Sequence, residues 1–80
     1  MAAGCSIRVT YSGTVATVQV TNLKPYQNRI QWSYTCKLVG NKTRSVGTTT
    51  AVNAHSTYTQ PSDLGGRITG VSAKSCKSLD

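Results

Sequence analysis

The segment RIQWSYTCKL, Arg29 to Leu38, alternates without a break. Ile30, Trp32, Tyr34, Cys36 and Leu38 are apolar or weakly polar, and Gln31, Ser33, Thr35 and Lys37 between them are polar. Successive side chains of a strand point to opposite faces, so this period of two predicts one buried and one wet face. CSIRVTY repeats the pattern, with Cys5, Ile7, Val9 and Tyr11 on the apolar side. In TVATVQVTNL the apolar side carries Ala16, Val18 and Val20. No usable stretch shows a helical period, so the chain is expected to fold from strands alone.

Turn signals divide these segments. Ser12–Gly13 separates the first two, and NLKPYQN is a loop because Pro25 donates no ladder bond and restricts Lys24 before it. Gly40–Asn41 can take the positive φ of a tight hairpin, which predicts pairing of 30–38 with 43–52. PSDLGG is read as a further loop. In RITGVSAKSC, Ile68 has one parity while Val71 and Ala73 have the other, and Gly70 is the natural site of a β-bulge restoring register. About seven short strands with turns every eight to twelve residues predict a small antiparallel β-sandwich, with a small barrel as alternative. Its 80 residues are read as one all-β domain, with residues 1–4 outside the ordered body.

The strand carrying Val18, Val20 and Asn22, the strand centred on Trp32 and Tyr34, the Gly40 hairpin and the later strand with Tyr58 together resemble Ig-like sandwich modules of secreted bacterial proteins. The likeness covers roughly residues 15–59. It implies a binding or structural module and carries over no functional residue, because fold does not fix function.

The charge balance is one-sided. Nine Lys and Arg face only Asp63 and Asp80, a formal net charge of +7, and no acid occurs from Met1 to Ser62. Such a surface attracts anionic partners, and the attraction weakens as salt rises. Thr and Ser make up about a quarter of the chain, which suits exposed β-faces.

Three cysteines allow three single disulfides, each leaving one thiol. Cys36–Cys76 is the favoured pair. It would tie the central strand to the last and close a loop of about 40 residues, worth roughly 4 kcal/mol in the chain-entropy model. Cys5 is then the spare thiol, for an intermolecular bridge or for lipid, since AAGC resembles the end of a lipoprotein signal with Ala2 in place of the usual Leu. Cys5–Cys76, Cys5–Cys36 and three reduced thiols are the alternatives. A zinc site of Cys5, Cys36, Cys76 and His55 has the right donors, but structural zinc sites gather ligands in close pairs and these lie singly.

Catalytic groups are scarce. His55 is the one histidine, no nucleophile elbow, HExxH or P-loop occurs, and a two-carboxylate mechanism would need a loop residue and a terminal one. No enzyme, cofactor or metal is expected. Asn41–Lys42–Thr43 matches an N-glycosylation acceptor but is read as a turn. The expected function is that of a secreted or cell-surface binding module for an anionic protein, glycan or surface polymer. The expected contact surface joins the loop residues Lys24, Tyr26 and Arg29 to the hairpin residues Lys42 and Arg44. A small cytoplasmic nucleic-acid binder and a secreted basic toxin or inhibitor are the alternatives. For nucleic acid, bases would have to stack on exposed rings, and Tyr26 is the best exposed candidate, with Trp32, Tyr34 and Tyr11 expected in the core.

Overall fold

The computed structural model describes residues 4–79 as six strands. They are β1 (Cys5–Ser12), β2 (Val15–Asn22), β3 (Asn28–Leu38), β4 (Lys42–Val52), β5 (Thr57–Asp63) and β6 (Ile68–Ser78). All pairings are antiparallel, in two three-stranded sheets of order β1-β2-β5 and β4-β3-β6. The two sheets form a small all-β sandwich. Its strands number six, against the seven or so expected. No helix among the described residues is long and apolar enough to cross a membrane. The expectation that residues 1–4 are unordered falls on 1–3 outside the described residues. Gly4 itself is held, accepting a hydrogen bond from the Leu23 N–H at 3.0 Å.

The alternation of β3 sets the core. Its inward residues Ile30, Trp32, Tyr34, Cys36 and Leu38 are all buried, opposite Ala16, Val18 and Val20 of β2. Burying the larger of these side chains stabilises by about 1.5–3 kcal/mol each. The Trp32 and Tyr34 rings stack with centroids 6.0 Å apart, and the indole N–H donates to Thr50 Oγ1 at 3.3 Å. Tyr11, expected in the core, is 45% exposed at the end of β1, where its hydroxyl donates to the Thr69 carbonyl.

The turns follow the sequence where glycine dictates them. Gly40 and Asn41 take φ of 87° and 60° and close the β3–β4 hairpin with Leu38 opposite Lys42. PSDLGG is only partly loop. Pro61 to Asp63 belong to β5, an edge strand, where proline's missing donor can face away from the ladder. In β6 the register against β3 shifts twice, once between Ile68 and Gly70 and once between Ala73 and Ser75. The first shift adjoins Gly70 as expected, and the two together turn Ile68, Val71, Ala73 and Cys76 to the inner face.

Those shifts decide the disulfide. Cys76 lies opposite Trp32 and Cys36 lies opposite Val71, four steps along β3, or roughly 13 Å. That is beyond the reach of a disulfide. Cys5 of β1 instead meets Cys76 across the junction of the sheets, with Cα atoms 6.2 Å apart, and the two are bonded. The favoured Cys36–Cys76 pair is therefore replaced by Cys5–Cys76, and Cys5 is neither a spare thiol nor available for lipid. Cys36 is the free thiol, fully buried, and burial pushes its pKa up.

Candidate functional site

The connections gather at the two ends of the long axis, which measures 42 Å. At one end, loop 23–27 meets turn 53–56. Asn22 organises this end from a fully buried position. Its Nδ2 donates to the Tyr26, Val52 and Asn53 carbonyls at 2.9, 3.0 and 3.2 Å, and its Oδ1 accepts the Lys24 N–H. Tyr26 is half exposed with the Lys24 ammonium 5.6 Å from its ring centre. Arg29 follows on the outer face of β3, opposite Ala51.

At the other end, hairpin turn 39–41 meets loop 64–67 through a hydrogen bond from Val39 N–H to the Arg67 carbonyl at 3.0 Å. Leu64 and Ile68 N–H donate to the Thr14 and Gly13 carbonyls, which binds this loop to the β1–β2 turn as well. Lys42 and Arg44 open β4 here. The five partner-contact residues expected on one surface thus divide. Lys24, Tyr26 and Arg29 lie at one end of β3 and Lys42 and Arg44 at the other, because the strand between them has eleven residues and spans roughly 33 Å.

What the hairpin end offers instead is two groups of cations, one on each face of the β4-β3-β6 sheet. Lys42, Arg44 and Arg67 border a depression of ≈ 420 Å³ with Val39 and Gly65 in its wall. Around the hairpin, Lys37 and Lys74 border a second depression of ≈ 370 Å³, whose other polar walls are Thr35, Thr43 and Ser72. A smaller hollow between Lys37, Asn41, Lys42 and Thr69 shares wall residues with each of them. Asp63, the one acidic side chain among the described residues, accepts the Gly65 N–H at 2.9 Å, and none of these five cations has a salt-bridge partner among those residues. Val39 is 56% exposed beside them and offers an apolar contact.

Like charges gathered this way repel one another, and a bound anion relieves that repulsion while gaining attraction from several cations at once. Arg44 and Arg67 can also offer paired donors to a carboxylate, sulfate or phosphate. Lys37, Arg67, Lys74 and Val39 were not singled out in the sequence. Arg67 arrives with loop 64–67 folded against the hairpin and Lys74 with β6 paired to β3, and no local pattern encodes either. The two buried rings, Trp32 and Tyr34, present no stacking surface, and exposed Tyr11 and Tyr26 do not adjoin each other. His55 is exposed in a turn at φ 52°, and no three His, Cys, Asp or Glu side chains converge among the described residues. No family model, curated protein or solved structure matches the chain.

Proposed function

We infer that this chain is an extracytoplasmic, non-enzymatic binding module that takes an anionic partner (a protein, a glycan or a cell-surface polymer) on its hairpin end. The observation that carries this reading is the placement of Lys42, Arg44 and Arg67 around one depression and of Lys37 and Lys74 around another, both walled by Thr43, without salt-bridge partners among the described residues. The Cys5–Cys76 disulfide supports an oxidising compartment, where such bonds persist. The Ig-like resemblance of 15–59 fits the same reading. Cations accelerate encounter and strengthen the complex, and exposed Val39 supplies an apolar contact.

A heparin oligosaccharide serves as the probe. Lys42→Gln with Arg44→Gln is expected to weaken binding about tenfold near 50 mM salt and to flatten the plot of log affinity against log salt by about two charges. Lys24→Gln with Arg29→Gln, at the far end, is expected to leave both nearly unchanged. Titration calorimetry of the two double variants decides. Unaltered binding in the first variant, or a larger loss in the second, sinks the site assignment.

A further inference from the structure

Because β1 lies against β6, where Cys5–Cys76 joins them, β4 and β5 run along the opposite side of the sandwich. The inner face is incompletely covered on that side. Val46 and Thr50 of β4 and Tyr58 and Gln60 of β5 are half-buried and Thr48 is exposed, while Val18, Val20 and Trp32 on the central strands are closed to water. The β4 edge beside this seam is also regular. Its eleven residues keep unbroken register with β3, and Ser45 to Val52 hold no charge and no proline. An edge strand turns half of its backbone N–H and C=O groups away from its one neighbour, ready for an added strand.

The outer face of β4 carries a second feature. Gly47 lies in a depression of ≈ 470 Å³ whose other walls include Gln31, Ser33, Thr49 and Ser75. A Cβ at Gly47 would stand 2.8 Å from the Trp32 carbonyl oxygen, so the close approach of β4 to β3 keeps this hollow open. A strand laid on β4 would set alternate side chains over the inner seam, and the one opposite Gly47 could fold into the hollow.

The charges along β4 say what such a strand carries. The inward row reads Lys42, Arg44, Val46, Thr48, Thr50 and Val52, two cations followed by neutral positions. Opposite charges directly across a ladder attract and like charges repel. The complement is a strand with acids beside Lys42 and Arg44 and apolar residues beside Val46 and Thr50. A second copy of this chain, at +7, is repelled, whereas an acidic strand is drawn in. Only a polypeptide offers N–H and C=O groups at ladder spacing, which favours a peptide over a glycan or a nucleic acid.

We propose that the anionic partner presents an extended peptide segment that adds to β4, with its acidic end against Lys42 and Arg44 and a bulky side chain over Gly47. The proposal rests on the anion site of the hairpin end and names the class of its partner. Antiparallel pairing is the more stable ladder, and it puts the acids at the C-terminal end of the segment, because β4 begins at its cations.

The probe is the end-blocked synthetic peptide Val-Thr-Val-Tyr-Val-Thr-Asp-Thr-Asp, titrated calorimetrically against the full chain at about 50 mM salt. In an antiparallel ladder every second residue turns its N–H toward the partner strand. N-methylating one alternate set of peptide residues is therefore expected to weaken binding about tenfold or more, and methylating the other set to leave it near the parent value. Replacing both aspartates by asparagine is expected to weaken binding about tenfold and to flatten its salt dependence. Amide exchange should slow between Ser45 and Ala51 when the peptide binds. A peptide that does not bind, or that binds equally well with either set methylated, overturns the proposal. A heparin oligosaccharide still held through Lys42 and Arg44 in that case leaves the anion site standing, whereas loss of both ligands removes both readings.

Discussion

Replacing Cys5 or Cys76 by Ser is expected to cost about 4–5 kcal/mol, the chain-entropy value for partners 71 residues apart. A domain of this size has a total stability on the order of 4–12 kcal/mol, so either variant should sit near the edge of folding. Thermal unfolding should fall by roughly 20–30 °C. The effect is large because the bond joins strands of different sheets, where β1 and β6 otherwise meet only through side chains. Cys36→Ala removes a buried sulfur from the inner face of β3, away from the disulfide, and should cost only about 1–2 kcal/mol. Alkylation separates the two roles without mutation. The native chain should take up no reagent, because the Cys36 thiol is buried and its pKa is raised. Unfolding without reduction should expose one thiol, and reduction three. Peptide mapping after the unfolding step should place the label on Cys36, and a label on Cys5 would restore the discarded pairing.

Asn22→Ala is expected to cost about 2–4 kcal/mol through a different mechanism. The Asn22 side chain satisfies the carbonyls of Tyr26, Val52 and Asn53 and the N–H of Lys24 from a site closed to water. Truncation leaves the buried Val52 carbonyl without that donor, and the desolvation cost of such a group is about 1–3 kcal/mol. The cavity adds to it. Because three of the four bonds run to loops, hydrogen exchange should quicken in residues 23–27 and 53–54, while Val18 and Ile30 keep core protection. A loss spread evenly over both sheets would show that Asn22 is mere filling.

Much of this fold was legible because it rests on parity. The inner face of β3 follows from alternation alone, and the Gly40–Asn41 hairpin from the φ angles those residues tolerate. Alternation fails for Tyr11, since β1 runs past the cover that would bury its end, and cover is a tertiary property. It also could not choose the disulfide. Cysteines 5 and 36 both fall on apolar strand faces, and two register shifts in β6, not one, decide which of them Cys76 meets.

The candidate site divides in the same way. That Lys42 and Arg44 flank a tight turn is local information. That they stand far from Lys24 and Arg29 is also present in the sequence, as the length of the strand between, but charge and loop composition carry no such distance. Arg67 depends on loop 64–67 reaching the hairpin through the Val39–Arg67 hydrogen bond and the burial of Leu64, and Lys74 on the register shift of β6, and both are tertiary properties. Asn22 fits a strand pattern in the sequence, while its work is done by a side chain that no periodicity describes.

The site itself is tested most directly by following backbone amide shifts of isotope-labelled protein as a heparin oligosaccharide is added at low salt. Perturbations are predicted to concentrate on the hairpin from Lys37 to Arg44, on loop 64–67 and around Lys74, and to shrink together as salt rises. Shifts centred on Lys24, Tyr26 and Arg29, or none at any salt concentration, would contradict an anion-binding hairpin end.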